Sequence, residues 1–112
     1  MPAPFPPPPH HLLVVYGSLA PGRVNYHRVQ AFGGYWGKAW VRGTVQEDQG
    51  YPVFTYDPKG PELSVDLLES PNIDWTALDV FEGDNYRRIL IPIRRGEEIL
   101  RGNIYAWARG AK

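Results

Sequence analysis

Short runs of apolar and β-branched residues, interrupted by glycine and proline, recur along the chain. The run Leu12–Tyr16 is uninterrupted and stops at Gly17, a pattern typical of a buried strand. From Arg87 to Arg95, isoleucine at every second position indicates a strand with its isoleucines on one side. The same reasoning predicts strands at residues 35–46 (bent near Gly43), 51–56, 62–69 and 99–107.

Two helices are predicted between these strands. Asn25 is expected to cap a short helix that runs to about Phe32. Ser70-Pro71 is typical of a helix start, with a hydroxyl cap followed by proline at the first helical position. That second helix is expected to run to Glu82, where Gly83 stops it in a left-handed conformation.

About six short, bent strands and two helices in mixed order indicate an α+β fold. We expect a small, partly closed, mixed β-barrel with peripheral helices. Six of the first nine residues are proline, so residues 1–11 are predicted to be a flexible leader and residues 12–112 a single domain. A solvated leader is preferred to the alternative, a ligand for an SH3-like or WW-like groove.

Composition narrows the class of function. The 112 residues carry 12 Lys+Arg and 12 Asp+Glu, and zero net charge argues against a nucleic-acid or anionic-membrane partner. There is no cysteine, hence no disulfide and no thiolate nucleophile. His10 and His11 are adjacent, so their side chains are expected to point apart and to chelate a metal ion poorly. No apolar run is long enough to span a bilayer, and the cytoplasm is the expected compartment.

The charged residues of the last predicted hairpin, Arg94, Arg95, Glu97 and Glu98, are interpreted as a solvated tip. Glu82 is different. It follows Trp75 by seven positions and Leu78 by four, so it shares their core-facing side of the helix.

Glu82 also ends that helix, where the helix dipole is negative. Burial and the dipole both oppose ionisation and raise the pKa, which suits general acid–base catalysis near neutral pH. The alternative is a solvent-exposed glutamate at a frayed helix end.

Gly17-Ser18-Leu19 directly follows the first predicted strand. Glycine there lets neighbouring backbone N–H groups turn outward together, and such a nest binds a carboxylate or an oxyanion. The alternative is an ordinary strand-to-loop turn. The loop lacks the glycine spacing of nucleotide-binding motifs, and Ser18 lacks the context of a serine nucleophile.

Taken together, two segments resemble a known family. Tyr16-Gly17-Ser18-Leu19, followed by Gly22 and Asn25, resembles the opening signature of the γ-glutamylcyclotransferase superfamily, whose short AIG2-like members are nearest in length. About 60 residues later, Leu78-Asp79-Val80-Phe81-Glu82-Gly83, followed by Tyr86-Arg87-Arg88, resembles the stretch that carries the family's catalytic Glu-Gly. The resemblance covers roughly residues 12 to 107.

The resemblance implies a small barrel with peripheral helices and a cavity at one end. It implies that the α-amine of a γ-glutamyl group attacks its own γ-carbonyl, giving 5-oxoproline and a released amine or amino acid. Glu82 then matches the general base, and Tyr16, Gly17, Ser18 and Leu19 match the loop that holds the glutamyl end. Tyr86 and Arg88 match the positions after the catalytic Glu-Gly. No metal ion or cofactor is implied.

Two other functions compete with this one. The same barrel could bind a glutamyl compound without turning it over. A single-stranded nucleic-acid binder is suggested by the aromatic and arginine content, but the neutral charge argues against it. The expected partner is therefore a small γ-glutamyl molecule, with no nucleic acid and no membrane, and the oligomeric state is left open.

Overall fold

The computed structural model describes residues 6 to 108. The first five residues of the predicted leader and the last four of the predicted domain lie outside that range. Neither helix of the described part has the length and apolar character needed to cross a membrane. The elements are β1 (Leu12–Val15), α1 (His27–Gln30), β2 (Tyr35–Asp48), β3 (Tyr51–Tyr56), β4 (Glu62–Glu69), α2 (Trp75–Glu82), β5 (Tyr86–Arg95) and β6 (Glu98–Trp107).

Five of these strands close into a barrel in the order β2-β4-β1-β6-β5. The ring closes where Trp40 of β2 pairs with Arg94 of β5. Strand β3 is an extra strand that pairs with β2. Neighbouring strands are antiparallel, except that β1 runs parallel to β6. The predicted α+β architecture, a small mixed barrel with helices outside it, is confirmed.

The 14-residue strand β2 changes partner in its middle. Residues Tyr35 to Arg42 pair with β4, whereas Gly43 to Asp48 pair with β3. Gly43 has a φ of +149°, and a Cβ there would clash with the carbonyl oxygen of Thr55. Only glycine therefore fits where the strand leaves the barrel. The predicted bend is confirmed, and the strand continues past residue 46 to Asp48.

Strand β1 is buried on both faces, which accounts for its uninterrupted apolar run. Leu12 and Val14 belong to the core inside the barrel. Leu13 and Val15 belong to a second core that packs the helices onto the outside of the barrel. Burial of an aliphatic side chain of this size contributes roughly 1.5–3 kcal/mol, so β1 holds both layers together.

The start of α2 differs from the prediction. Ser70 is fully buried, its hydroxyl donates to the Phe32 carbonyl at 2.7 Å, and the Asn72 N–H donates to it at 3.1 Å. Ser70 therefore stabilises a turn and fixes the α1–β2 connection. Its hydroxyl faces a carbonyl that is distant in sequence, which local pattern does not reveal.

Instead, α2 begins at Trp75, where Asp74 caps it by accepting the Ala77 N–H at 3.0 Å. The helix ends at Glu82 as predicted. Gly83 has the predicted positive φ of +77°, with a ψ of −170° that lies outside the left-handed helical region.

The arginines of the β5–β6 hairpin are not simply solvated, contrary to the prediction. Arg94 makes two hydrogen bonds to Glu62 of β4, at 2.8 and 3.1 Å. Arg95 lies 2.7 Å from Glu69 of β4 and 3.4 Å from Glu98. The two pairs with β4 join residues that are distant in sequence, an arrangement that the sequence pattern does not contain. The pair between Arg95 and Glu98 is local to the hairpin.

The segment before β1 is attached to the barrel. Pro9–His11 form a single 3₁₀ turn. Its carbonyl oxygens accept hydrogen bonds from the Asn103 side chain, the Trp75 indole and the Ser70 N–H, at 2.9, 2.9 and 2.8 Å. The last three residues of the predicted flexible leader are therefore fixed to β6 and to the start of α2.

Candidate active site

A cleft of about 1040 Å³ opens at one end of the barrel. Strands β1 and β6 both end there and β5 begins there, because β1 is parallel to β6 and β5 is antiparallel to it. The loop after β1, the end of α2 and the β2–β3 turn form its walls. The predicted site residues that line it are Tyr16, Gly17, Ser18, Leu19, Glu82 and Tyr86.

The loop that follows β1 is held from two sides. Leu19 is 5% exposed and anchors the loop in the outer core. Gly17 lies against Pro52, so closely that an added Cβ would be 3.0 Å from the proline ring. Within residues 6–108, the N–H groups of Ser18 and Leu19 donate to no backbone carbonyl. Both residues line the cleft, so these two amide groups are available as donors there.

Asn25 supports this loop instead of capping α1. Its side-chain amide donates to the Ser18 hydroxyl at 2.8 Å, and its N–H donates to the Ser18 carbonyl at 2.9 Å. Helix α1 is one turn long, and the residue at its N-cap position is Tyr26, without a side-chain cap. The prediction for Asn25 fails because its amide finds a partner seven residues back. The Ser18 hydroxyl accepts that bond and keeps its own proton for a ligand.

Glu82 is half-buried at the end of α2 and lines the cleft opposite the loop. Burial raises the pKa of Glu82 from 4.5 to about 7, the direction expected from its place on the helix. None of the ion pairs among residues 6–108 involves its carboxylate. Near neutral pH it can therefore both accept and donate a proton.

Three tyrosines surround this carboxyl group, and each hydroxyl already donates within the protein. Tyr16 donates to the Tyr105 carbonyl at 2.5 Å, Tyr105 to the Asp79 carboxylate at 2.6 Å, and Tyr86 to the Pro52 carbonyl at 2.9 Å. Burial, and to a smaller extent the nearby Glu82 charge, raises the pKa of all three tyrosines. The hydroxyl protons of these three tyrosines are therefore already engaged within the protein.

Arg88 lies outside the cleft, unlike the other predicted site residues. It borders a smaller cavity of about 260 Å³ and donates two hydrogen bonds to Asp79, at 2.9 and 3.2 Å. Its guanidinium also lies 4.7 Å from the centre of the Trp75 ring. Although burial acts in the opposite direction, the hydrogen bonds from Arg88 and Tyr105 lower the pKa of Asp79.

Sequence reasoning missed Tyr105, Asn25 as the support of the loop, and the β2–β3 turn as a wall of the cleft. Tyr105 belongs to an ordinary apolar strand pattern, so nothing local distinguishes it from the core. The two-residue turn Gln49-Gly50, with φ of +54° and +85°, carries a signal typical of a tight hairpin. That signal predicts a hairpin and does not predict that Asp48 and Tyr51 reach the cleft.

Within residues 6–108, no three side chains of the ligating types histidine, cysteine, aspartate and glutamate lie close enough to share an ion. The rings of His10 and His11 pack edge to face, with their centres 4.5 Å apart. The prediction that these side chains point apart is therefore wrong, because the two residues lie in a 3₁₀ turn and not in an extended segment.

Comparisons with known proteins agree with this geometry. A family model described as Gamma-glutamyl cyclotransferase, AIG2-like, matches residues 13–112. An Arabidopsis thaliana protein known from a solution structure is 24% identical with a TM-score of 0.69, covering 91% of this chain and 71% of that one. An AIG2-like protein from Mus musculus is 19% identical with a TM-score of 0.70, covering 91% and 80%.

YkqA from Bacillus subtilis is 20% identical with a TM-score of 0.72, covering 88% of this chain and 36% of YkqA. At these identities the structural likeness shows the fold alone. Among curated proteins, no sequence matches significantly.

Proposed function

Because the chain belongs to the AIG2-like gamma-glutamyl cyclotransferase family, we propose that it cyclises a γ-glutamyl amine or γ-glutamyl amino acid to 5-oxoproline and releases the amine. Glu82 is the general acid and base of this reaction. One observation carries the proposal: a half-buried carboxyl group with a pKa of about 7 lines the same cleft as the Tyr16–Leu19 loop.

The reaction begins with the substrate's α-ammonium group, which is not a nucleophile while it is protonated. The Glu82 carboxylate takes one proton from it, and the free amine attacks the γ-carbonyl carbon of the same glutamyl group. A carbon–nitrogen bond forms, and the carbonyl oxygen becomes an oxyanion. Glu82 then passes the proton to the leaving nitrogen, the oxyanion collapses to a carbonyl, and the old carbon–nitrogen bond breaks. The attacking nitrogen loses its second proton to the Glu82 carboxylate, which hands it to the released amine, so the products are neutral 5-oxoproline lactam and an ammonium ion.

The loop amides supply the binding half of the mechanism. The N–H groups of Ser18 and Leu19, with the Ser18 hydroxyl, hold the glutamyl end of the substrate folded on itself. Since the attack is intramolecular, holding this conformation supplies much of the effective molarity. Tyr86 supports the wall between the loop and the β2–β3 turn through its bond to Pro52.

The rim of the cleft favours one kind of leaving group. Asp48 lines the cleft at the end of β2, and its charge adds to that of Glu82 at Tyr86. A carboxylate there disfavours a leaving group that carries its own carboxylate. We therefore place γ-glutamyl amines ahead of γ-glutamyl amino acids among the substrates, and the cytoplasm remains the expected compartment.

The test measures 5-oxoproline from γ-glutamyl amides, γ-glutamyl amino acids and glutathione. Glu82→Gln keeps the shape of the side chain and removes its proton chemistry, so we expect kcat to fall by about 10²- to 10⁴-fold. Glu97→Gln, an exposed glutamate at the β5–β6 turn, is the matched control and is expected to retain full activity.

Equal turnover by the wild type and Glu82→Gln would refute the role of Glu82. The alternative, a non-catalytic binding module, predicts another outcome. A glutamyl compound would then raise the melting temperature of the wild type, and no 5-oxoproline would form.

A further inference from the structure

We propose that Tyr105, Asp79 and Arg88 form a positioning network that fixes Glu82 relative to the Tyr16–Leu19 loop. This inference rests on the proposed function, because it assigns Glu82 and the loop to the two halves of one reaction. None of the three residues needs to contact the substrate. Arg88, expected from sequence to bind substrate, takes a different role here.

Tyr105 connects the two halves of the site. Its backbone carbonyl accepts the Tyr16 hydroxyl at 2.5 Å, which ties the start of the loop to β6. Its own hydroxyl donates to the Asp79 carboxylate at 2.6 Å, which ties β6 to α2. Tyr105 is 4% exposed, so its ring is held by packing, and its two polar groups define a fixed spacer.

Asp79 transmits this constraint to Glu82. The two residues are three positions apart on α2, so they lie about one helical turn from each other. Arg88 of β5 grips Asp79 through two hydrogen bonds and packs on Trp75 at the start of the same helix. Helix α2 is thereby held at two points on the barrel, and its last residue has a defined position.

The spacing matters because acid–base catalysis depends on reach. A displacement of about 1 Å in a reacting group can lower the rate by about 10²-fold. Loss of the Tyr105 hydroxyl removes one tether and leaves the ring and the backbone carbonyl in place. We expect such a loss to reduce the chemical step and to leave the grip of the loop on the substrate intact.

The experiment compares Tyr105→Phe, Asp79→Asn and the double variant with the wild type in the 5-oxoproline assay. We expect kcat to fall about tenfold in each single variant, with KM within about twofold of the wild-type value. The kcat of the double variant is expected to be no lower than that of the less active single variant, because both changes cut the same connection. Tyr56→Phe, which removes a hydroxyl from a half-buried tyrosine outside the cleft, is the matched control.

Several outcomes would overturn the network. Unchanged kcat in Tyr105→Phe or Asp79→Asn contradicts it, and so do losses that multiply in the double variant. A rise in KM at constant kcat makes Tyr105 a substrate contact instead of a spacer. If one single variant fails to fold, the other gives the same KM-against-kcat comparison. Absence of 5-oxoproline from the wild type overturns the proposed function as well, whereas an active wild type with unaffected variants overturns the network alone.

Discussion

Tyr86 and Tyr105 line two cavities, and the pKa of the carboxyl group in one is shifted in the opposite direction from that in the other. In the smaller cavity, Asp79 accepts hydrogen bonds from Arg88 and Tyr105, and its pKa is lowered despite partial burial. In the larger cleft, Glu82 has neither kind of partner within residues 6–108, and its pKa is raised to about 7.

These two acidic residues lie about one turn apart on a single short helix. The difference shows that the helix does not decide what a carboxylate does: burial governs the pKa of Glu82, whereas hydrogen bonds from Arg88 and Tyr105 govern that of Asp79. A carboxylate bound by a guanidinium stays ionised and serves as an attachment point. A carboxylate that is buried without an ion-pair partner keeps its proton close to neutral pH and can exchange it.

The largest effect that separates the two carboxylates is expected in the pH dependence of activity. Below pH 7, kcat/KM of the wild type should fall about tenfold per pH unit, because protonated Glu82 cannot accept the substrate's proton. Asp79 is ionised from pH 5 to pH 8, so its titration should not affect kcat/KM in that range. A pH–rate profile from pH 5 to 8 measures this, and a flat profile would remove the distinction between the two residues.

A smaller effect is expected on stability. The pKa of Glu82 is about 7 in the folded chain and near 4.5 in the unfolded chain, so the wild type loses stability as the pH rises between those values. Glu82→Gln does not titrate and should therefore exceed the wild type by roughly 2 kcal/mol at pH 8. At pH 4 the two should be close.

Urea unfolding at both pH values measures that difference. Glu97→Gln, the same substitution at an exposed position, should show no comparable pH-dependent gain. A constant difference between Glu82→Gln and the wild type at all pH values would mean that packing, not ionisation, distinguishes them.

The smallest effect belongs to the other cavity. The folded pKa of Asp79 is lowered from 3.8, so the ion pair with Arg88 stabilises the fold above that value and is lost as the pH falls through the folded pKa. Both side chains are partly solvated, so Arg88→Gln should cost at most about 1 kcal/mol at pH 7. The cost should shrink as the pH falls below 3.8, the ordinary pKa of the carboxyl group, and a pH-independent cost would assign the effect to packing on Trp75.

The sequence predicts features that depend on neighbours along the chain and misses those that depend on distant ones. The alternation of apolar residues and the glycine and proline residues between the runs predict where the strands lie. The helical spacing from Leu78 predicts that Glu82 faces inward. The start of α2 was misplaced because Ser70 bonds to the distant Phe32 carbonyl.

The candidate site divides in the same way. The Gly17-Ser18 turn and Glu82 stand out in the sequence because each breaks a local pattern. Arg88 and Tyr105 do not, because an arginine on a strand and a tyrosine in an apolar run are ordinary. Both residues contact Asp79 only because β5, β6 and α2 pack together, and residue spacing along the chain does not predict that packing.

Strand β2 switches its pairing from β4 to β3 at Gly43, so one half of the strand closes the barrel and the other half borders the cleft. Upstream of Gly43 the strand seals the ring, and downstream it carries the hairpin whose tip borders the cleft. Gln49 lies in the β2–β3 turn, away from the pairing of Trp40 with Arg94 that closes the barrel, so we expect insertions at this turn to leave the closure intact. Closure of the barrel and the shape of the entrance to the cleft therefore depend on different halves of one strand.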